Sequence, residues 1–188
     1  MQYSGTRHNV GFRVLDAAAR NAGVEFRKAS PLFMEATVSG GGRLIKPLTF
    51  MNRSGEALRA LLEVTDVDIS QILACVDDVN LQVGRLRIRG KGSHGGHNGL
   101  RDLERALGGV AYPRLRLGVG AVKESEGTLV EHVLGAFSDD EEKRLAPAVE
   151  AAARAVLEFL EGTDLETLKH RYNGMPASQG DRASERRE

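Results

Sequence analysis

The chain has 188 residues, 41% apolar and 28% charged, with 26 basic and 26 acidic side chains and a formal net charge of zero. That length suits one domain, and the even balance excludes whole-molecule attraction to nucleic acid while leaving room for a local basic patch. No apolar run reaches the roughly 20 residues a bilayer span needs, and the opening MQYSGTRHN lacks an apolar signal segment, so a cytoplasmic protein without a membrane span is expected.

Val10, Val14, Leu15, Ala18 and Ala22 recur at helical spacing, so a helix is expected over residues 9–22 with Gly23 as its stop. Phe33 to Ser39 and Arg43 to Ile45 read as two strands of a hairpin turning at Gly40-Gly41-Gly42. Leu58, Leu61, Leu62 and Val64 mark a second helix that opens near Asn52 or Ser54. The apolar run Ile72 to Val76 ends abruptly in Asp77-Asp78, as expected of a buried strand that delivers two carboxylates at its C-terminal edge. Cys75, inside that run, is the only cysteine, so no intrachain disulfide is possible, and it reads as a small buried hydrophobe.

Arg85-Leu86-Arg87-Ile88-Arg89 alternates strictly, one face apolar and one basic. A glycine-rich loop over residues 90–99 follows, then a short helix through Leu100, Leu103 and Leu107 that stops at Gly108-Gly109. Arg114-Leu115-Arg116-Leu117 repeats the alternation. Ser138 before Asp139, Asp140 and Glu141 opens a long amphipathic helix through Leu145, Val149, Ala152, Val156 and Leu160, and a shorter one is expected from Asp164 to about Tyr172. These elements define an α/β domain over residues 1–175, followed by a charged tail over 176–188 that is expected to be disordered.

The zero total hides a separation of charge. Residues 84–120 carry +6, from eight basic and two acidic groups, whereas residues 123–166 carry −8, from four basic and twelve acidic groups. Two basic strands flanking a glycine-rich loop point to a phosphate-facing surface.

Four polar clusters sit at junctions of loops with periodic elements: Thr6-Arg7-His8-Asn9, Phe50-Met51-Asn52, Asp77-Asp78 and Ser93-His94-Gly95-Gly96-His97-Asn98. A histidine, a carboxylate, two asparagines and a basic surface suit hydrolysis of an ester on a polyanion. The histidine takes a proton from water, the carboxylate holds its tautomer, and the amides place the ester and donate to the oxyanion. That inventory requires no metal and no cofactor. His94 and His97 lack a third ligand at suitable spacing, and the motifs of an elbow serine, a P-loop and a dinucleotide fold are absent.

The segments TRHNVGF, KPLTFMNRSG, VDDVNLQVGRLRIRGKGSHGGHNGLRDL and YPRLRLGVG, in that order, resemble the bacterial peptidyl-tRNA hydrolase family. The likeness runs from about residue 3 to 120 and more loosely through GTLVEHVLGAFSDDE. It implies a single α/β domain with a mixed twisted sheet surrounded by helices. The implied activity is cleavage of the ester between a peptide and the 3′ end of its tRNA, by a monomer without cofactor. By motif, His8 matches the catalytic base and Asp77 its partner. Asn52 and Asn98 match substrate-positioning asparagines, while Tyr3, Phe50 and Met51 match cleft-lining positions. Arg89 and Arg116 match a pair that grips tRNA phosphate, with Lys91 grouped beside them. His97 also sits in the cleft motif, where a structural or helix-capping role is expected.

The sequence departs from the family at its front. Relatives begin with a short apolar strand and a loop reading roughly GLGNPG, whereas this sequence begins almost at the cleft tyrosine. A central strand and one asparagine are therefore expected to be missing, which strips neighbouring strands of ladder hydrogen bonds, and the start is expected to lie further upstream. The alternative reading is a non-catalytic RNA-binding protein on the same scaffold. A small-metabolite esterase fits the basic segment poorly.

Overall fold

The computed structural model describes residues 5–122 and 127–173. Tyr3 and the expected tail over 176–188 lie outside the described residues. A 3₁₀ turn, Arg7–Asn9, leads into α1, Val10–Asn21. The hairpin follows as β2, Phe33–Thr37, and β3, Arg43–Pro47, with a short strand β1, Arg27–Lys28, on its outer side. Helix α2 spans Ser54–Leu62 and β4 spans Ala74–Asp78. Strand β5, Leu86–Arg89, then α3, Asn98–Leu107, and β6, Arg114–Gly118, complete the middle of the chain. Helices α4, Leu129–Leu134, α5, Asp139–Leu160, and α6, Leu165–Tyr172, close it.

The α/β class is as expected, but the strands divide between two sheets. One is the antiparallel set β1-β2-β3, and the other has the order β4-β6-β5, with β6 parallel to β4 and antiparallel to β5. Helix α1 packs on both β3 and β4, and among the described residues no strand pairs with the free edge of either. Ala74 N–H donates to Pro113 and Asp78 C=O accepts from Val119, so the intervening Cys75 and Asp77 turn their backbone groups away from β6, toward that open edge. A groove of about 1660 Å³ runs along it and into the cleft described below. The outer edge of β5 is closed instead by a side chain. Asn173 accepts from Ile88 N–H at 2.6 Å and donates to Ile88 C=O at 3.1 Å, standing in for a ladder partner.

The main core lies where α1 and α5 pack together beneath β5 and β6. Val14, Ala17 and Ala18 face Ala148, Ala152 and Ala155, small residues that let the two helices approach closely, while Ile88, Leu115 and Leu117 cover them. Helix α5 opens with a capping box in which Ser138 accepts from Glu141 N–H and the Glu141 side chain accepts from Ser138 N–H. Strand β6 departs from the expectation of a basic face. As the central strand it is covered on both sides, and Arg114 is buried against the Tyr112 ring with its guanidinium donating to the carbonyls of Gly92, Val110 and Tyr112. One of the eight basic groups of residues 84–120 is thus structural. On the edge strand β5, Arg87 and Arg89 are exposed as the alternation predicts.

Among the described strands and α-helices, two escaped the periodicity argument, β1 because two residues carry no period, and α4 because six residues make less than two helical turns.

Candidate active site

The site is assembled where the start of α1 meets the C-terminal end of β4. Two anchors place it. Arg7 is buried, donates to Ala136 C=O at 2.6 Å, pairs with Glu141 at 2.9 Å, and lies over the Phe137 ring, while its own N–H donates to Gly135. Gly11 supplies the second anchor, because a Cβ there would stand 2.3 Å from the Cys75 carbonyl oxygen. Only glycine lets α1 press this closely on β4 and carry His8 to the strand end.

Successive residues of a strand point to opposite faces, and Asp77 and Asp78 divide accordingly. Asp78 accepts from Arg116 at 3.2 Å and from Asn80 N–H at 2.9 Å. Asp77 faces the cleft, its side chain only 4% exposed, with Oδ1 lying 2.8 Å from His8 Nδ1 and 3.1 Å from His97 Nε2. The other ring nitrogen of His97, Nδ1, accepts from Leu100 N–H at 3.1 Å and so caps α3. An imidazole nitrogen that accepts a backbone N–H carries no proton, so His97 must hold its proton on Nε2 and donate it to Asp77. His8 likewise donates through Nδ1 to the carboxylate, which leaves its Nε2 with a free lone pair. Burial by itself raises the Asp77 carboxyl, but the two histidine donors hold it well below the ordinary carboxylate range.

The same cleft is lined by Phe50, Met51, Asn52 and Asn98, and Leu134 of α4 lies on its rim. Phe50 is 69% exposed, an apolar ring standing open to an incoming ligand. Asn52 and Asn98 are exposed, one in the 3₁₀ turn before α2 and one as the first residue of α3. The two turns are pressed together at Gly99, where a Cβ would stand 2.6 Å from Met51 Sδ. Asp102 of α3 also accepts from Gly55 N–H of α2 at 2.7 Å, which ties the two asparagine-bearing regions together.

The structure therefore brings His8, Asp77, Asn52, Asn98, Phe50 and Met51 to one cleft. Arg89, Lys91 and Arg116 lie outside its lining. Arg89 and Lys91 are exposed, whereas Arg116 is largely covered, one guanidinium nitrogen on Asp78 and the other donating to Ser93 C=O at 2.8 Å. In this arrangement Arg116 holds the glycine-rich loop in place. Sequence reasoning gave His97 a structural or helix-capping role in the cleft motif, without its contact to Asp77. Its second contact, with Asp77, joins residues 20 positions apart and depends on tertiary placement.

His8, Asp77 and His97 also place one ligand atom each within 4.8 Å of one another, close enough to hold a metal ion. The protonation pattern disfavours that use, since His97 Nε2 carries the proton that its helix-capping bond excludes from Nδ1. The donor set fits a carboxylate clamped between two imidazole N–H groups.

The clamp carries a pH prediction. A carboxylate held below its unfolded value, near 3.9 for aspartate, adds stability that is present above that value and lost as the pH falls through the folded one. His97→Ala removes one donor, so the folded value rises toward the unfolded one, less stability rides on the carboxylate, and its loss on acidification is smaller and complete at a higher pH. His97→Ala is expected to be less stable than wild type at neutral pH by more than the about 1 kcal/mol of a lost helix cap, with the difference narrowing toward that cap cost as the pH falls below the unfolded aspartate value. Circular dichroism across an acid titration reads both.

A buried aspartate bonded to a histidine, beside two asparagines in an open cleft of an α/β domain, is an arrangement suited to a hydrolase of the general-base type. The comparisons specify the family. The peptidyl-tRNA hydrolase family model matches residues 1–180. A peptidyl-tRNA hydrolase of Caldanaerobacter subterraneus is 44% identical over 176 residues, covering 92% of this chain and 94% of the relative. One of Halalkalibacterium halodurans is 42% identical over 170 residues, with 89% and 91% covered. The crystal structure of peptidyl-tRNA hydrolase from Acinetobacter baumannii superposes with a TM-score of 0.85 at 28% identity, over 95% of this chain and 91% of that one. The chain belongs to the peptidyl-tRNA hydrolase family.

Proposed function

We propose that this chain is a cytoplasmic, monomeric esterase that cleaves the bond between a peptide, or an N-blocked amino acid, and the 3′ end of tRNA. The observation that carries the proposal is the bond from His8 Nδ1 to the buried Asp77 carboxylate, which leaves His8 Nε2 facing the cleft as a base. His8 Nε2 takes a proton from water as the water oxygen attacks the ester carbonyl carbon. Asp77 stabilises the imidazolium that forms, and the amides of Asn52 and Asn98 supply donors for the carbonyl oxygen as it becomes an oxyanion. Collapse of the tetrahedral intermediate breaks the bond to the ribose oxygen, which recovers the proton from His8, and releases tRNA and the peptide acid, which gives its remaining proton to solvent as it leaves as a carboxylate. Phe50 and Met51 offer an apolar wall for the terminal base or the peptide. The comparison findings give no support to a non-catalytic RNA-binding protein.

The test is turnover of N-acetyl-aminoacyl-tRNA against the corresponding N-acetyl-amino acid methyl ester. The tRNA ester is expected to be cleaved with much the higher kcat/KM. Equal values would identify a small-molecule esterase.

Arg87, Arg89 and Lys91 form the exposed basic row through which the tRNA backbone is expected to be held, and Arg87 lies opposite Arg116 across the β5–β6 pair. Each phosphate contact contributes about 0.7–0.9 to the slope of log affinity against log salt. Arg89→Ala is expected to weaken tRNA binding, flatten that slope by nearly one, and leave turnover at saturating tRNA close to wild type. An unchanged slope would remove Arg89 from the interface.

A further inference from the structure

Asn98 and Arg101 occupy positions i and i+3 at the start of α3, both exposed, and Arg101 Nη1 lies 3.1 Å from Asn98 Oδ1. The two ends of a carboxamide are nearly the same shape, so an exposed asparagine ordinarily presents either its oxygen or its NH₂ to a ligand. Here the partner settles which. A guanidinium has five donors and no acceptor, so only the amide oxygen can face Arg101. The amide's two N–H donors are then turned away from Arg101, as a group that must donate to a developing oxyanion requires. The backbone beneath them is fixed, with α3 capped by His97 and pressed onto Met51 at Gly99.

We infer that Arg101 is a positioning residue for the ester-cleaving step, holding the Asn98 amide in its donor-forward orientation. This rests on the hydrolase reading above. An exposed cation beside a tRNA-binding cleft also invites the simpler role of a phosphate contact, and the two roles separate kinetically. A phosphate contact acts on KM and on the salt slope, and it acts the same whatever residue stands at 98. A positioning residue acts on kcat, and only while the Asn98 amide is present.

The experiment is a double-mutant cycle with Arg101→Met and Asn98→Ala on N-acetyl-aminoacyl-tRNA, under single-turnover conditions with enzyme saturating and at two salt concentrations. Arg101→Met is expected to lower the saturated rate roughly 3- to 10-fold, the worth of one ordinary hydrogen bond, and to have no further effect in the Asn98→Ala background. Arg101→Lys, which keeps a donor for the oxygen, is expected to recover most of the rate. Additive effects, or a change confined to KM and the salt slope, overturn the inference. A second readout needs no substrate. ¹⁵N relaxation of the Asn98 side-chain NH₂ in the free protein is expected to show an ordered amide in wild type and Arg101→Lys and a mobile one in Arg101→Met. Equal mobility in all three overturns the inference even if the chain cleaves no ester. An ordered amide that loosens in Arg101→Met, in a chain without esterase activity, would place the failure in the hydrolase reading instead.

Discussion

His8→Ala is expected to reduce turnover of N-acetyl-aminoacyl-tRNA by roughly 10²–10⁴, the usual contribution of a positioned general base. Water in the cleft then has no side chain to accept its proton, since His97 carries its own proton on the nitrogen that faces Asp77. Binding of tRNA should change little, because Arg87, Arg89 and Lys91 lie outside the lining of the cleft that holds His8. The fold should also persist, because the turn that carries His8 is fastened by Arg7 and Gly11. Single-turnover rates together with an affinity measured on deacylated tRNA separate these effects. Activity within tenfold of wild type would assign the base elsewhere.

Asp77→Asn should fall almost as far, for a different reason. The carboxylate oxygen accepts from two imidazoles, and an amide of the same shape offers one oxygen and one NH₂. If the NH₂ faces His8, His8 must accept at Nδ1 and carry its proton on Nε2, the tautomer that cannot take a proton from water. If the oxygen faces His8, the tautomer is right but the negative charge that stabilises the imidazolium is gone. Either arrangement lowers kcat, by roughly 10²–10³ if most of the general-base contribution is lost, while the affinity for tRNA is retained. The variant also loses the acid sensitivity tied to Asp77. The stability gap between wild type and Asp77→Asn should be largest near neutral pH and shrink as the pH falls below about 4, where the unfolded chain begins to protonate the carboxylate that the folded protein still holds ionised. A full rate with unaltered pH dependence in Asp77→Asn would show that the carboxylate neither orients nor stabilises His8.

Much of the fold was legible because its elements are long or strictly periodic. The 3.6-residue recurrence of α1 and α5, the alternation of β5, and the glycine stop after α3 each carry local information that tertiary structure did not override. Strand β6 was misread for a physical reason. Arg114 and Arg116 alternate just as Arg87 and Arg89 do, but β6 is the middle strand of its sheet, and its arginines were drawn onto carbonyls, an aromatic ring and Asp78. Edge or centre is a property of strand order, which alternation does not encode. The arrangement of two sheets follows from pairing as well.

The candidate site was legible as residue types at motif positions, and the structure adds their bonds. His8, Asp77, Asn52 and Asn98 come together as expected, but nothing local in HGGHN shows that its second histidine reaches back to the carboxylate at the end of β4. Nor does the sequence disclose that Arg101 faces the oxygen of Asn98, although the i,i+3 spacing on a helix permits it. Contacts over long separations and choices between hydrogen-bond partners are made by packing.

The most direct measurement is the fate of N-acetyl-aminoacyl-tRNA incubated with the wild-type chain, with products resolved by mass. The predicted result is catalytic release of the N-acetyl-amino acid together with full-length tRNA bearing a free 3′-terminal ribose, at a rate lowered roughly 10²–10⁴-fold in His8→Ala. Tight, salt-dependent binding of the tRNA with its ester left intact would contradict it.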